Sequence, residues 1–446
     1  DALPILFTIV GFPISLKIFS SFHIKGYIFS KVIGFLVPGI LMWFLSSLHI
    51  LKYNTVNSYI CLLIVGILSY VFLIIDVVKN KREVNIETIK DKLSSMYKIE
   101  VFFLLLFLII SYVKAFNPDA NSSEKYMDYG FMSIIDNCDY MPANDLWLAK
   151  EKINYYYFGH YICNYMMKIA GVPVNYGYNL SLISLFTLVF YMAFSIGFNL
   201  INIYNKNINE KKYLPYLGGL LGGLAINFAG NFHYVLYNLI IPMIQTIFHL
   251  SSNYEYNFYD STRYIGYNPD TIDKTLHEFP SFSFIIGDMH SHVVNLFFVI
   301  LLLGILLSYL LNNKKIVDEV NSDNFEFKKS YTSNKIFNLT NVFIGVLLGI
   351  FKMTNYWDFP IYVVVCLIAF LITNILTFKS YKDILWCTVS QILVVLSIIV
   401  VISLPFSLKF IKMSSKIKLS KYHTKIYQFL ILWGLPLFTI ILFIIY

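Results

Sequence analysis

Arginine is almost missing from this chain: its 446 residues contain two, Arg82 and Arg263. Charge of either sign is thin, at 13% of residues, about half the share of an ordinary soluble domain. That scarcity excludes a soluble globular class, and no nucleic-acid partner is expected. The five cysteines, Cys61, Cys138, Cys163, Cys366 and Cys387, show no CxxC spacing, and four lie in or near apolar segments. A disulfide framework or a cysteine zinc site is therefore not expected. No initiator methionine and no signal peptide open the chain, so it reads as a fragment of something longer.

In place of charge there is apolar length. Hydrophobic residues make up 57% of the chain and the mean hydropathy is +0.65. Long apolar runs recur from Tyr27–Ile50 to Phe429–Tyr446. Most approach the ~20 residues that cross ~30 Å of hydrocarbon at ~1.5 Å per residue. The fold class expected is an all-α polytopic transmembrane bundle of about 10–12 spans, with external loops carrying surface helices. Residues 1–98 read as N-terminal transmembrane helices and 99–446 as the core, with external loops 117–176 and 230–283. The lipid bilayer is the first partner. Tyrosine (35), phenylalanine (40), isoleucine, asparagine and lysine are so heavily used that the skew resembles an AT-rich codon bias. Much of the aromatic content then carries no message, whereas an arginine stands out.

Lysines orient the chain. The loop Lys79–Lys98 carries Lys79, Lys81, Arg82, Lys90, Lys92 and Lys98, which reads as cytoplasmic under the positive-inside rule. The lysine-rich connections Asn205–Lys212 and Lys314–Lys335 follow it. Residues Asn117–Lys152 hold seven acids against three lysines, and Ser251–Ser283 five acids against Arg263 and Lys274. Both read as outside. This topology requires Ile153–Ala170 to be an amphipathic helix on the outer surface rather than a span, with its tyrosines at headgroup level, and gives Tyr234–Leu250 the same role. Ser407–Lys425, with six lysines and no acid, resists: alternation puts it outside. The whole reads as a multi-pass cell-membrane protein with a polar site facing outward.

That site is drawn from motifs beside the spans, where ionisable groups are costly and usually functional. The ordered series is Glu124-Lys125-x-Met127-Asp128-Tyr129, Asp145-x-Trp147, Ile153-Asn154-Tyr155-Tyr156-Tyr157-Phe158-Gly159-His160, Glu278-Phe279-Pro280, Gly287-Asp288-x-His290-x-His292 and Asn355-x-Trp357-Asp358-Phe359-Pro360. It resembles the bacterial and archaeal "YYY" membrane proteins, whose function is unknown. Relatives often read Asp-Leu-His-Pro-His where this chain has Met289 and Ser291. The arrangement also resembles the GT-C glycosyltransferases, which use polyprenyl-phosphate-linked sugars and carry an acidic pair in the first large external loop. That resemblance implies a membrane glycosyltransferase, with Ile99–Phe116 as the preceding helix and a polyprenyl-phosphate sugar donor as partner.

Residue types fit the implied chemistry. Attack of an acceptor hydroxyl on an anomeric carbon needs a carboxylate base. Glu124 and Asp128 are four apart and share a helix face, although acids of this kind also cap or solvate loops. Lys125 tempers their mutual repulsion. Arg263 either grips the leaving phosphate or orders its loop against Asp260 or Glu278. Asp145, Tyr156, Tyr157 and His160 join the substrate-binding set, the tyrosines either stacking on sugar or acting as interfacial anchors. Trp357 is an ordinary belt residue type; Asp358 beside it is less ordinary. Asp288, His290 and His292 suit a divalent metal or polar contacts to substrate. On a helix His290 turns about 200° from Asp288, so all three converge only on an extended backbone. The resemblance leads to an expectation of no metal requirement; should an ion bind, Glu124 or Asp128 completes its shell. The rival class is a transporter or a membrane protein without chemistry. Broken helices and mid-membrane ionisable groups would mark a transporter, whereas these clusters lie at span edges.

Overall fold

The computed structural model describes residues 2–79, 86–121, 125–208, 211–250, 255–313, 332–412 and 421–445. Among these there is no strand, only the isolated bridges Asn144–Lys152 and Tyr267–Asp270. The helices are α1 (Ala2–Ile18), α2 (Tyr27–Ser47), α3 (Thr55–Lys79), α4 (Ile86–Ala115), α5 (Lys125–Asp136), α6 (Phe158–Ala170), α7 (Val174–Ile208) and α8 (Leu214–Phe228). They continue as α9 (Ile241–Ile247), α10 (Pro280–Ile286), α11 (Ser291–Val294), α12 (Leu296–Asn313), α13 (Leu339–Thr354), α14 (Asp358–Thr377), α15 (Tyr381–Lys409) and α16 (Ile426–Ile445).

Among the described residues nine helical segments are long and apolar enough to cross a bilayer. Three shorter apolar helices, Pro4–Ile18, Leu214–Phe228 and Val235–Ile247, accompany them. Helices are what such runs must form, because hydrocarbon offers no partner to an unpaired backbone group. The all-α polytopic bundle is therefore the architecture. The chain divides within α8 into two compact units, Asp1–Gly223 with Gly287–Ile411, and Leu224–Ile286 with Lys412–Tyr446.

In the first unit, helices that cannot gain from water exclusion against lipid associate by close packing and polar contacts. Gly11 and Gly34 let α1 and α2 touch backbone to backbone: a Cβ on Gly34 would lie 1.7 Å from the Phe7 carbonyl oxygen, and one on Gly11 2.1 Å from that of Ser30. Lys31 of α2, almost inaccessible, pairs with Glu100 of α4 at 2.7 Å and reaches Thr8 of α1 at 3.1 Å. A second buried network ties α12, α14 and α15 together. Gln391 donates to the Tyr309 hydroxyl at 2.7 Å, and Asn374 donates to Gln391 at 2.9 Å and to Thr388 at 2.8 Å. Asp76 meets Lys17 at 3.6 Å. All five cysteines are free.

The segment Ile153–Ala170 differs in one respect from its sequence reading. Its helix, α6, has 13 residues and is too short to span, but it is not laid against lipid. Tyr157, Tyr161 and Tyr165 are buried, because each hydroxyl has found a protein partner: Trp43 Nε1 donates to Tyr157 at 3.2 Å, and the other two donate to the carbonyls of Gly39 (2.9 Å) and Ser58 (3.1 Å). A tyrosine so satisfied has no need of the headgroup layer.

In the second unit, Tyr234–Leu250 forms a π-helical turn, Val235–Ile240, followed by α9. Beside it the Tyr264 backbone N–H donates to His277 Nε2 at 3.3 Å, and the His277 backbone returns to Thr262 at 3.0 Å. Burial, helped by the charge of His233, pushes the His277 imidazole down to about 4. A ring that must accept cannot also be protonated. The stability this contact contributes is present above the ordinary histidine value of 6.5 and is lost as pH falls through about 4. Hydrogen exchange at the Tyr264 amide is expected to lose protection across that window, once corrected for intrinsic rates, and to be insensitive to pH in a His277→Gln variant.

Candidate functional site

α5 and α6 run in matched register, and that register builds the site. Residues 160, 164 and 168 recur every four along one face of α6, opposite 128, 132 and 136 on α5. His160 Nε2 lies 2.9 Å from Asp128 Oδ1; Asn164 donates to the Met132 carbonyl at 3.2 Å; Lys168 pairs with Asp136 at 2.9 Å. Asp128 and His160 have no accessible surface. The edge of the His160 ring rests against Phe131, at 5.6 Å between centroids.

A second stretch meets this pair. Gly287 takes φ +74, a left-handed conformation that a side chain would strain. His290 is extended (φ −52, ψ 154), and helix resumes at Ser291. Asp288 and His290 thus precede the span Ser291–Asn313, while His292 sits in its first turn. His290 Nδ1 is 3.8 Å from Asp288 Oδ2 and 3.9 Å from Asp128 Oδ2; its Nε2 is 3.0 Å from the Tyr155 hydroxyl. Tyr178 donates to the Gly287 carbonyl at 3.2 Å, and Ser291 to that of Tyr156 at 3.1 Å. One ligand-type atom from each of Asp128, Asp288 and His290 falls within 4.8 Å of the others. The convergent set therefore takes its third member from α5 rather than from His292, whose ring centroid is 5.6 Å from that of His290.

Two carboxyl groups this close do not both ionise freely, and their environments separate them. Burial pushes Asp128 up from the carboxylate range; contact with His160 opposes this in part, and the charge of Asp288 adds to it. Burial pushes Asp288 up as well, but contact with His290 and with Asp128, together with the charges of His290 and His292, outweighs it and leaves Asp288 low. Asp128 is thus the carboxyl held up and Asp288 the one held low.

Two ammonium groups stand next to Gly287, the residue before Asp288. A Cβ on Gly287 would be 2.7 Å from Lys114 Nζ and 3.6 Å from Lys125 Nζ. Lys114 donates to the Asn117 carbonyl at 2.7 Å and the buried Lys125 to that of Asp119 at 3.4 Å. Lys114 escaped the sequence reading. A lysine closing an apolar run looks like a snorkelling end residue, and only the fold carries it to Gly287.

The other residues singled out take separate places. Glu124 lies outside the described residues. Asp145 closes a turn, accepting from the backbone N–H groups of Trp147 and Leu148 at 2.8 Å each. Tyr156 packs tilted against Phe410, at 5.0 Å between centroids. Asp358 accepts from Asn295 at 2.6 Å and Asn355 at 2.9 Å, tying the start of α14 to that of α12. Trp357 is 76% exposed, as a belt residue is. Arg263 and Glu278 belong to the second unit. There Arg263 Nη1 donates to the Thr262 hydroxyl at 3.2 Å, with the guanidinium 5.2 Å over the Tyr259 ring.

A polytopic membrane protein with a buried carboxylate–histidine cluster at the mouth of one span is what fold and site define together. The chain belongs to the uncharacterized membrane protein family DUF2298, whose profile matches residues 37–446. No curated protein and no solved structure matches it.

Proposed function

We propose that this protein is a membrane glycosyltransferase that moves a sugar from a polyprenyl-phosphate-linked donor to an acceptor at the outer membrane face. The observation that carries the reading is the placement of the Lys114 and Lys125 ammonium groups beside Gly287, directly before Asp288 of the convergent Asp128–Asp288–His290 set. Glycosyl transfer from a lipid phosphate needs a proton acceptor next to a cationic cradle. The attacking hydroxyl forms the new C–O bond at the anomeric carbon and passes its proton to the carboxylate pair. The C–O bond to phosphate breaks, and its electron pair leaves on the phosphate, whose charge the two lysines offset. His160 holds Asp128 in place, and His290 is the least buried of the four. A cavity of about 690 Å³, lined by Phe35, Phe103, Phe107 and Leu188 and by Met166 and Met167 of the helix that carries His160, supports a substrate with a long apolar tail.

In a transfer assay, Lys125→Ala is expected to raise the donor KM by about 10–100-fold, the worth of one hydrogen bond to a charged group. An unchanged KM would detach the lysines from the phosphate. The outward orientation is tested by thiol labelling. Cysteines introduced at Ser123 and Thr271 are expected to react with an impermeant reagent from outside the cell; labelling only from the cytoplasm inverts the topology.

A transporter is the second reading, favoured by the Lys31–Glu100 pair buried between spans. It predicts movement of an intact substrate across the bilayer, with no bond broken.

A further inference from the structure

The Asp128, Asp288 and His290 cluster has features that the transfer reading does not use. Asp128 and Asp288 are 0% and 4% exposed, yet Asp128 Oδ2 and Asp288 Oδ1 accept no hydrogen bond among the described residues. Buried carboxylate oxygens left so are costly, and in native proteins they call for an explanation. Their partner atoms are already committed. Asp128 Oδ1 is engaged by His160 at 2.9 Å and His290 Nε2 by the Tyr155 hydroxyl at 3.0 Å. Each such contact fixes the side chain from behind and leaves Asp128 Oδ2 and His290 Nδ1 turned toward the same space. Support of this kind behind each ligand is what a metal centre requires, because it sets the histidine tautomer and aims the carboxylate.

We infer that Asp128, Asp288 and His290 form a binding site for a divalent transition cation of the manganese or zinc class. Mixed carboxylate and imidazole donors suit those ions. Metal–ligand bonds of ~2.0–2.2 Å place tetrahedral ligand atoms about 3.4 Å apart, and the present spacing is at most 4.8 Å. Modest side-chain rotation closes the difference. Three protein ligands leave a coordination position open, as catalytic sites do. Asp128 is then engaged through both oxygens, and the second oxygen of Asp288 accepts the proton of the attacking hydroxyl. This runs against the metal-free expectation drawn from the sequence. It extends the transfer reading but is measured without it.

The test is manganese binding to the purified, chelator-stripped full chain, followed by the loss of free-ion electron paramagnetic resonance signal. One site per chain is expected, with affinity weakened at least about tenfold in Asp288→Asn and again in His290→Ala, unchanged in Asp145→Asn, and zinc competing. His290 is only partly buried, and thermal unfolding of each variant separates loss of binding from loss of fold. Absence of a stoichiometric site, or a site that survives both substitutions, overturns the inference. A chain that binds manganese through these residues yet transfers no sugar keeps the metal site and rejects the transfer reading.

Discussion

Replacing Asp128 by Asn is expected to lower the rate of sugar transfer by about 10²–10⁴-fold, the usual worth of a positioned acid–base group, while leaving the protein folded. Asn keeps the shape and can still face His160, so the α5–α6 register of Asp128, Met132 and Asp136 against His160, Asn164 and Lys168 survives. What it loses is the negative charge and the basic oxygen. The check is kcat with saturating donor and acceptor, beside thermal unfolding in detergent. A variant that keeps wild-type kcat would remove Asp128 from the chemistry. One that unfolds early would make the pair structural. Asp139→Asn, at an exposed pair with Lys52, serves as the control and is expected to stay near wild type.

The largest effect on stability is expected at Gly34. A methyl group there would sit 1.7 Å from the Phe7 carbonyl oxygen. The atom in the way is backbone, so it moves only if α1 leaves α2. Separation would also strain the contact of Lys31 on α2 with Thr8 on α1. Overpacking a well-packed site costs typically about 1–3 kcal/mol, and more where backbone must shift. Gly34→Ala should therefore lower the midpoint of thermal unfolding by several degrees or prevent assembly. Gly66→Ala is the matched contrast: it is also helical, but its nearest neighbour would be Val10 Cγ2 at 3.6 Å, an ordinary contact. There the gain in helix propensity is expected to leave stability equal or higher. Equal unfolding midpoints for the two variants would contradict the backbone-contact account of α1 and α2.

Much of the fold was legible because one rule dominates it. A run of apolar residues in hydrocarbon has to be helical, so the helices at Tyr27–Ile50 and Phe429–Tyr446 could be read directly. Surface placement was less legible. Tyr157, Tyr161 and Tyr165 carry the composition of an interfacial anchor, and nothing local says that Trp43, Gly39 and Ser58 will take their hydroxyls. The site was legible in parts and not in assembly. Asp128 and the Asp288–His290 pair each stood out as ionisable groups beside spans, but 160 positions separate Asp128 from Asp288, and no spacing rule joins residues so far apart. The extended backbone that convergence requires came from Gly287 and from a helix that starts only at Ser291. Lys114 was invisible for the opposite reason: at the end of an apolar helix a lysine is unremarkable until Gly287 is seen beside it.

The central claim is that this cluster breaks a bond in a lipid-linked sugar. Its most direct test is to incubate the purified full chain, in lipid nanodiscs, with a panel of polyprenyl-phosphate sugars and candidate acceptors, and to follow the donor by mass spectrometry. The account predicts that at least one donor is consumed, with free polyprenyl phosphate released and the sugar recovered on an acceptor, and that Asp128→Asn abolishes the conversion. Intact donor throughout, or donor carried across a sealed vesicle without cleavage, would contradict it.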